Sequence, residues 1–193
     1  MARIVVTEFV SLDGFIDEPR WTFQFDRGPE GDKFKVDELF ESDALLLGRV
    51  TYEGFAQAWP HMADDDFGKR MNAIPKYVVS GTLAAADATW GDTTIITGDV
   101  PGRIAKLKAQ PVGDLLVEGS GQLVRELARH GLVDEYRMMV FPIILGGKMR
   151  MFPDNTTASC PASRSNTGIA GRSGALSRRA GRCVIRVSPG SSL

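Results

Sequence analysis

The chain has 193 residues and a mass of 21.0 kDa, room for one globular domain with at most an appendage. Hydrophobic residues make up 43% and charged residues 24%, which excludes a wholly disordered chain; the formal net charge of −1 excludes a whole-domain electrostatic footprint for nucleic acid. Apolar runs such as Ala44-Leu45-Leu46-Leu47 fall far short of the roughly 20 residues a membrane span needs, and no secretory h-region precedes Ile4-Val5-Val6, so no membrane and a cytoplasmic location are expected.

In chain order, Arg3 to Val10 is β-branched and apolar and reads as a strand, closed by the turn Ser11-Leu12-Asp13-Gly14. Residues 18–32 carry Pro19, Gly28, Pro29 and Gly31 and read as a long irregular loop. Within it Trp21, Phe23 and Phe25 alternate, as in a half-buried extended segment or an aromatic wall for a flat heterocycle. Phe34, Val36, Leu39 and Phe40 suggest an amphipathic helix over 33–42. Residues 43–47 read as a buried strand closed by Gly48. Thr51 is then a candidate N-cap for a helix with the stripe Tyr52, Phe55, Ala56 and Trp59, ended by Pro60.

A short helix over 67–71 follows, with the acidic run at 64–66 as its cap rather than a cation site, and then a strand over 76–80. Residues 93–97 form another strand, and Asp99 can cap a helix with Pro101 in its first turn. Residues 114–118 are a strand leading to Gly119-Ser120-Gly121 and a helix with Leu123, Val124, Leu127 and Ala128 facing inward. The run 133–144 is strand-like, with Pro142 marking an edge or bulge. The order βαβαβαβ with short connections predicts an α/β sandwich around a largely parallel sheet.

Charge is uneven along this order. Residues 158–193 hold six Arg, no Lys and no acidic residue, which leaves 1–157 with 17 basic and 24 acidic side chains. The same tail holds both cysteines, Cys160 and Cys183, whose separation fits neither a redox CxxC pair nor a zinc cluster. A functional body over 1–157 and an atypical basic Ser/Arg/Gly tail over 158–193 is the expected organisation, with no metal site.

Two strand ends carry the same physical device. In Leu47-Gly48-Arg49-Val50-Thr51 and in Glu118-Gly119-Ser120-Gly121-Gln122-Leu123, glycine lets backbone approach a ligand, and a helix start offers N–H groups to an anion. Arg49 stands where the helix dipole disfavours a cation, which makes sense beside a phosphate. Each turn taken alone also reads as a plain structural turn. The second lacks the standard dinucleotide fingerprint, because Val124 occupies the place of its last glycine.

Seven segments in order over about residues 3–154 carry a family resemblance. They are Ser11-Leu12-Asp13-Gly14-Phe15-Ile16, Leu46-Leu47-Gly48-Arg49-Val50-Thr51-Tyr52-Glu53, Pro75-Lys76-Tyr77-Val78-Val79-Ser80 and Gly119-Ser120-Gly121-Gln122-Leu123. Val133-Asp134-Glu135-Tyr136, Phe141-Pro142-Ile143-Ile144-Leu145-Gly146-Gly147-Lys148 and Met151-Phe152-Pro153 complete them. The chain resembles the dihydrofolate reductase-like superfamily, in the branch of the riboflavin-biosynthesis reductase domain.

The resemblance implies a three-layer α/β/α fold, a mostly parallel mixed sheet, NADPH as hydride donor and a homodimer. Gly48, Arg49 and Thr51 would bind cofactor phosphates, with Arg49 nearest the 2′-phosphate. Ser80 would lie beside the adenosine portion. Gly119, Ser120, Gly121, Gln122 and Leu123 would hold the pyrophosphate and the nicotinamide side. The substrate would be a pteridine- or pyrimidine-like heterocycle, the nearest activity being reduction of 5-amino-6-(5-phosphoribosylamino)uracil. Folate reduction and nucleotide binding without turnover are the rivals. No His-x-Glu with Pro-Cys-x-x-Cys is present, so zinc deamination is excluded.

Reduction also needs a proton source. Counting back from the glycine-arginine motif lands on Asp32, which equally reads as an N-cap. Asp13 is the other candidate, and it equally reads as an Asx turn with Gly14. In relatives a last strand, antiparallel to the rest, lies between two others. Here the acid-free tail reads either as an out-of-frame segment beginning after Thr157 or as an authentic tail in which Cys183-Val184-Ile185-Arg186-Val187 fills the strand's place.

Overall fold

Apolar segments with both faces covered become the strands of one sheet. The computed structural model describes residues 2–152 and the backbone of Gly181–Arg186. The strands are β1 Ile4–Ser11, β2 Ser42–Gly48, β3 Lys76–Val79, β4 Thr93–Ile96, β5 Asp114–Glu118, β6 Glu135–Phe141 and β7 Gly181–Arg186. The helices are α1 Gly28–Phe40, α2 Arg49–Ala58, α3 Asp66–Ala73, α4 Val100–Lys108 and α5 Gly121–Arg129. The sheet order is β4-β3-β2-β5-β1-β6-β7; the first six strands run parallel and β7 is antiparallel to β6.

Strand alternation sends neighbouring residues into different layers. Val6, Leu46, Leu115 and Val117 pack with Ile104 and Leu107 of α4 and Leu123, Val124 and Leu127 of α5. Val5, Leu45, Leu47 and Leu116 pack with Leu39 of α1, Tyr52 of α2 and Met71 of α3. The result is a three-layer α/β/α arrangement, as the resemblance implies. At the sheet's opposite end from the strand carboxyl termini, Arg3 pairs with Asp114 and with Glu135 (3.2 Å), tying the starts of β5 and β6 together.

Several sequence expectations shift. Helix α1 begins at Gly28, five residues before the expected start, because Pro29 falls in its first turn, where a missing N–H costs nothing. The alternation of Trp21, Phe23 and Phe25 is not an extended segment: Pro19–Gln24 is a 3-10 helix. Trp21 and Phe25 pack on Phe141, with ring centroids 5.3 and 5.6 Å away. Phe23 is left exposed. Thr51 is not an N-cap; Gly48 is, and Thr51 sits inside the first turn of α2. Ala128 is exposed rather than inward-facing. Between β3 and β4 the chain makes only the 3-10 turn Ala85–Asp87, so the strict βα alternation breaks there.

Strand β6 stops at Phe141, just before Pro142, and is not an edge: β7 lies along it, Val140 opposite Gly181 and Glu135 opposite Arg186. A strand drawn from the basic tail therefore does stand beside β6. Among the described residues it is the last strand of the sheet rather than one between two others. Cys160 and the proposed start of an out-of-frame segment lie outside the described residues.

Candidate functional site

A cleft of about 1850 Å³ runs along the carboxyl ends of the strands. One end is lined by Gly48, Arg49, Thr51, Ser80, Gly119, Ser120, Gly121, Gln122 and Leu123, and the other by Thr7, Glu8, Phe9, Phe23, Asp32 and Lys35. The structure thus brings every cofactor-binding candidate, and Asp32, to one opening. Asp13 is absent from its lining.

The two glycine turns are tied to each other. Gly48 N–H donates to Ser120 Oγ (2.9 Å), and Ser120 N–H donates to Thr51 Oγ1 (3.1 Å). Ser120 holds φ +61°, the left-handed region, and Gly119 before it holds φ +56°. A side chain on Gly119 would be strained there and would press on Thr51 at 3.3 Å. Gly121 is enclosed by Met149 and Ile16, which stand where its Cβ would be. Ser80 Oγ accepts from the N–H groups of Thr82 (3.0 Å) and Leu83 (2.8 Å), shaping its own turn.

Helix ends differ around this opening. Asp65 and Asp99 cap α3 and α4 by accepting from Gly68 N–H and Gly102 N–H. Neither α2 nor α5 has a side-chain cap hydrogen bond. Their first-turn N–H groups and positive dipole ends are therefore left to a ligand or water. Arg49 leans on Glu53, Nη1 lying 3.0 Å from Oε1, and remains 44% exposed.

The two expected acids have different surroundings. Asp32 is exposed and pairs with Arg27 Nη2 at 2.9 Å. Asp13 accepts from Ser11 Oγ (2.6 Å), Gly146 N–H (2.9 Å) and Leu145 N–H (3.1 Å). The Ser11 hydroxyl, with those two N–H groups, holds its carboxyl down at about 2. That makes it a brace for the loop after β6.

A buried charged cluster was not anticipated from sequence. Lys35 of α1 donates to Glu38 and to Glu118 Oε1 of β5 (2.8 Å), and Thr7 of β1 donates from Oγ1 to Glu38 Oε1 (2.9 Å). Burial works against the charge on Lys35, but Glu118 and Glu38 outweigh it and hold the ammonium above the ordinary lysine range. Burial raises Glu38, with Lys35 pulling the other way. On the opposite face of β1 stands Glu8, 7% exposed, whose Oε1 is buried without a hydrogen-bond partner. Burial pushes Glu8 up to about 8, opposed by Lys35 and helped by Glu118.

Comparisons with known proteins agree with this architecture. Residues 2–167 match the family described as RibD C-terminal domain. The uncharacterized protein YyaP of Bacillus subtilis (strain 168) is 29% identical over 160 residues, covering 79% of this chain and 81% of the relative. YwjB of the same organism is also uncharacterized and is 27% identical over 151 residues, covering 76% and 80%. Among solved structures, a Shewanella sp. PV-4 protein assigned to riboflavin biosynthesis superposes with a TM-score of 0.72 at 22% identity, covering 96% of this chain and 98% of that one. Schistosoma mansoni dihydrofolate reductase follows with 0.57 at 16% identity, covering 97% and 99%. A dihydrofolate reductase-like sheet, a ligand-sized cleft at its strand ends and a family match spanning most of the chain agree: this protein has the dihydrofolate reductase-like fold and belongs to the RibD C-terminal domain family.

Proposed function

We propose that the protein is an NADPH-dependent reductase of a pyrimidine- or pteridine-like heterocycle, of the class of 5-amino-6-(5-phosphoribosylamino)uracil. The observation that carries this reading is one continuous cleft with two unlike ends. Two uncapped helix starts and Arg49 are at one end; buried carboxyls and a lysine are at the other.

The residues suit a dinucleotide on the chemistry of their donors. Uncapped N–H groups at the starts of α2 and α5 would take phosphate oxygens, and Arg49 would meet the 2′-phosphate in place of Glu53. Ser80 and its turn would border the adenosine, and residues 119–123 the pyrophosphate and nicotinamide side. When bound, the cofactor supplies a hydride to the substrate carbon. The protein's own part is to fix both partners, to exclude water with the apolar wall of Ile16, Phe23 and Met149, and to hold a proton for the reduced atom.

NADPH titration followed by quenching of protein fluorescence should saturate, and NADPH absorbance should fall when a panel of aminouracils, pteridines and dihydrofolate is added. Turnover on dihydrofolate alone would move the assignment to folate reduction. Saturable binding without oxidation on the whole panel would favour a nucleotide-binding protein instead.

A further inference from the structure

We propose that Glu8 is the general acid of this cleft, the carboxyl that delivers the proton to the substrate nitrogen or oxygen bonded to the carbon receiving hydride. This deepens the reductase reading above and rests on it. Other carboxyls of this cleft are exposed or already engaged: Asp17 accepts from Lys148 N–H and Met149 N–H, and Glu18 is exposed. Asp32 is exposed and bound to Arg27, while Glu38 and Glu118 are both bound to Lys35. A carboxylate committed to a cation holds no proton to give. Glu8 lines the same cleft, makes no ion pair among the described residues and keeps one oxygen buried without a partner.

Its place on β1 explains the difference. Strand alternation sets Glu8 on the face of Val6 and Val10, opposite to the face on which Thr7 reaches Glu38. The residue opposite Glu8 on β6 is the uncharged Met138. The charges acting on Glu8 are Lys35 of α1 and Glu118 of β5, and they oppose each other. Desolvation is left to decide the protonation state, and it favours the neutral acid. A buried carboxyl without a partner would be an expensive feature to keep in a covered strand. A neutral acid facing a ligand cleft resolves that cost.

The step balances. As the substrate carbon of a C=N or C=O group gains hydride from reduced nicotinamide, the neighbouring nitrogen or oxygen takes the Glu8 proton. Glu8 is left as carboxylate, oxidised nicotinamide leaves, and solvent returns the proton through the open cleft before the next turnover.

Two measurements test this, one of them without cofactor. Infrared pH-difference spectra of the apoprotein, wild type minus Glu8→Gln, should show a protonated carboxyl at neutral pH that ionises near pH 8. A Glu8 already ionised at pH 6 would overturn the proposal whatever the activity. In turnover, Glu8→Gln should lower kcat by about 10²–10⁴-fold, the range for loss of a positioned acid, with NADPH affinity retained. The wild-type rate should decline above about pH 8, and Glu8→Asp should recover part of the rate together with that decline. A Glu8→Gln enzyme that keeps its kcat and pH profile, or changes only KM, would show Glu8 to be a binding group and sink the proposal while leaving the reductase reading intact. A wild type that neither binds NADPH nor oxidises it would instead defeat that reading and this proposal with it.

Discussion

The two ends of the cleft are built by different means. At the α2/α5 end the lining is local backbone: a strand stops, a glycine turns the chain, and a helix starts without a side-chain cap. At the β1/α1 end it is side chains from distant parts of the chain: Thr7, Lys35, Glu38 and Glu118 are joined on one face of the sheet, with Glu8 on the other. The first kind of site tolerates changes in side chains that leave the turns intact. The second depends on charge balance, so removing one member exposes the desolvation cost of the others.

The sharpest way to break this contrast is to remove the cation at the cluster's centre. Lys35→Met would leave Glu38 and Glu118 buried without a counter-charge, and breaking a buried pair of this kind costs about 3–5 kcal/mol. Urea denaturation at pH 8 should show a loss of that order. The loss should shrink toward pH 5, where Glu38, already held above its ordinary range, can take up a proton instead. An equal loss at both pH values would mean that packing of the lysine stem, not charge, sets the cost.

A second effect of the same origin concerns pH alone. Glu8 is raised from 4.5 to about 8 in the folded protein, so between those values the native state holds a proton that the unfolded chain releases. Stability contributed by this group must therefore fall as pH rises from about 4.5 to about 8. Glu8→Gln, which cannot ionise, should flatten that part of a melting-temperature profile. An unchanged slope would remove Glu8 as its source.

At the other end the expected losses are in binding rather than folding. Arg49→Ala should weaken NADPH binding by roughly 1.5–3 kcal/mol, the range for a hydrogen bond to a charged group, and NADH binding much less. Glu53→Gln should act in the opposite direction, because it frees the guanidinium now held at 3.0 Å. Equal losses for both cofactors in Arg49→Ala would rule out the 2′-phosphate assignment.

This division also decides what could be read from sequence. The turns at Gly48 and Gly119, the Asp99 cap and the strands over 43–47 and 114–118 were legible because each is specified by a few adjacent residues. The cluster was not, because its members are joined only when β1, α1 and β5 meet. Helix α1 misled in particular: Glu38 is fully buried, while Val36 and Phe40, read as part of its apolar stripe, are 40% and 50% exposed. One signal was available. Glu8 interrupts the apolar run from Ile4 to Val10, in a strand whose both faces are covered, and a lone acid there asks for a functional reason. The tail was legible only in part: the sequence left open whether 183–187 fills a strand's place, and a strand is found at Gly181–Arg186, beside β6 at the end of the described sheet rather than between two others.

The smallest effect should come from the clamp between the two glycine turns, and it separates conformation from contact. Ser120 contributes a hydroxyl that accepts from Gly48 N–H at 2.9 Å, and it does so from a left-handed backbone. Such a conformation costs a residue bearing a Cβ about 1–2 kcal/mol. Ser120→Ala keeps that strain and loses the acceptor, so stability should drop by about 1 kcal/mol. Ser120→Gly loses the same acceptor but relieves the strain, so its stability should return close to that of the wild type. If the clamp holds the two phosphate-facing turns in register, both variants should weaken NADPH binding to a similar degree despite their different stabilities. Fluorescence titration beside urea denaturation reads the two quantities separately. Binding that instead follows stability, with Ser120→Gly behaving as wild type, would mean that the backbone of each turn is sufficient and that the hydroxyl between them only adds to the fold.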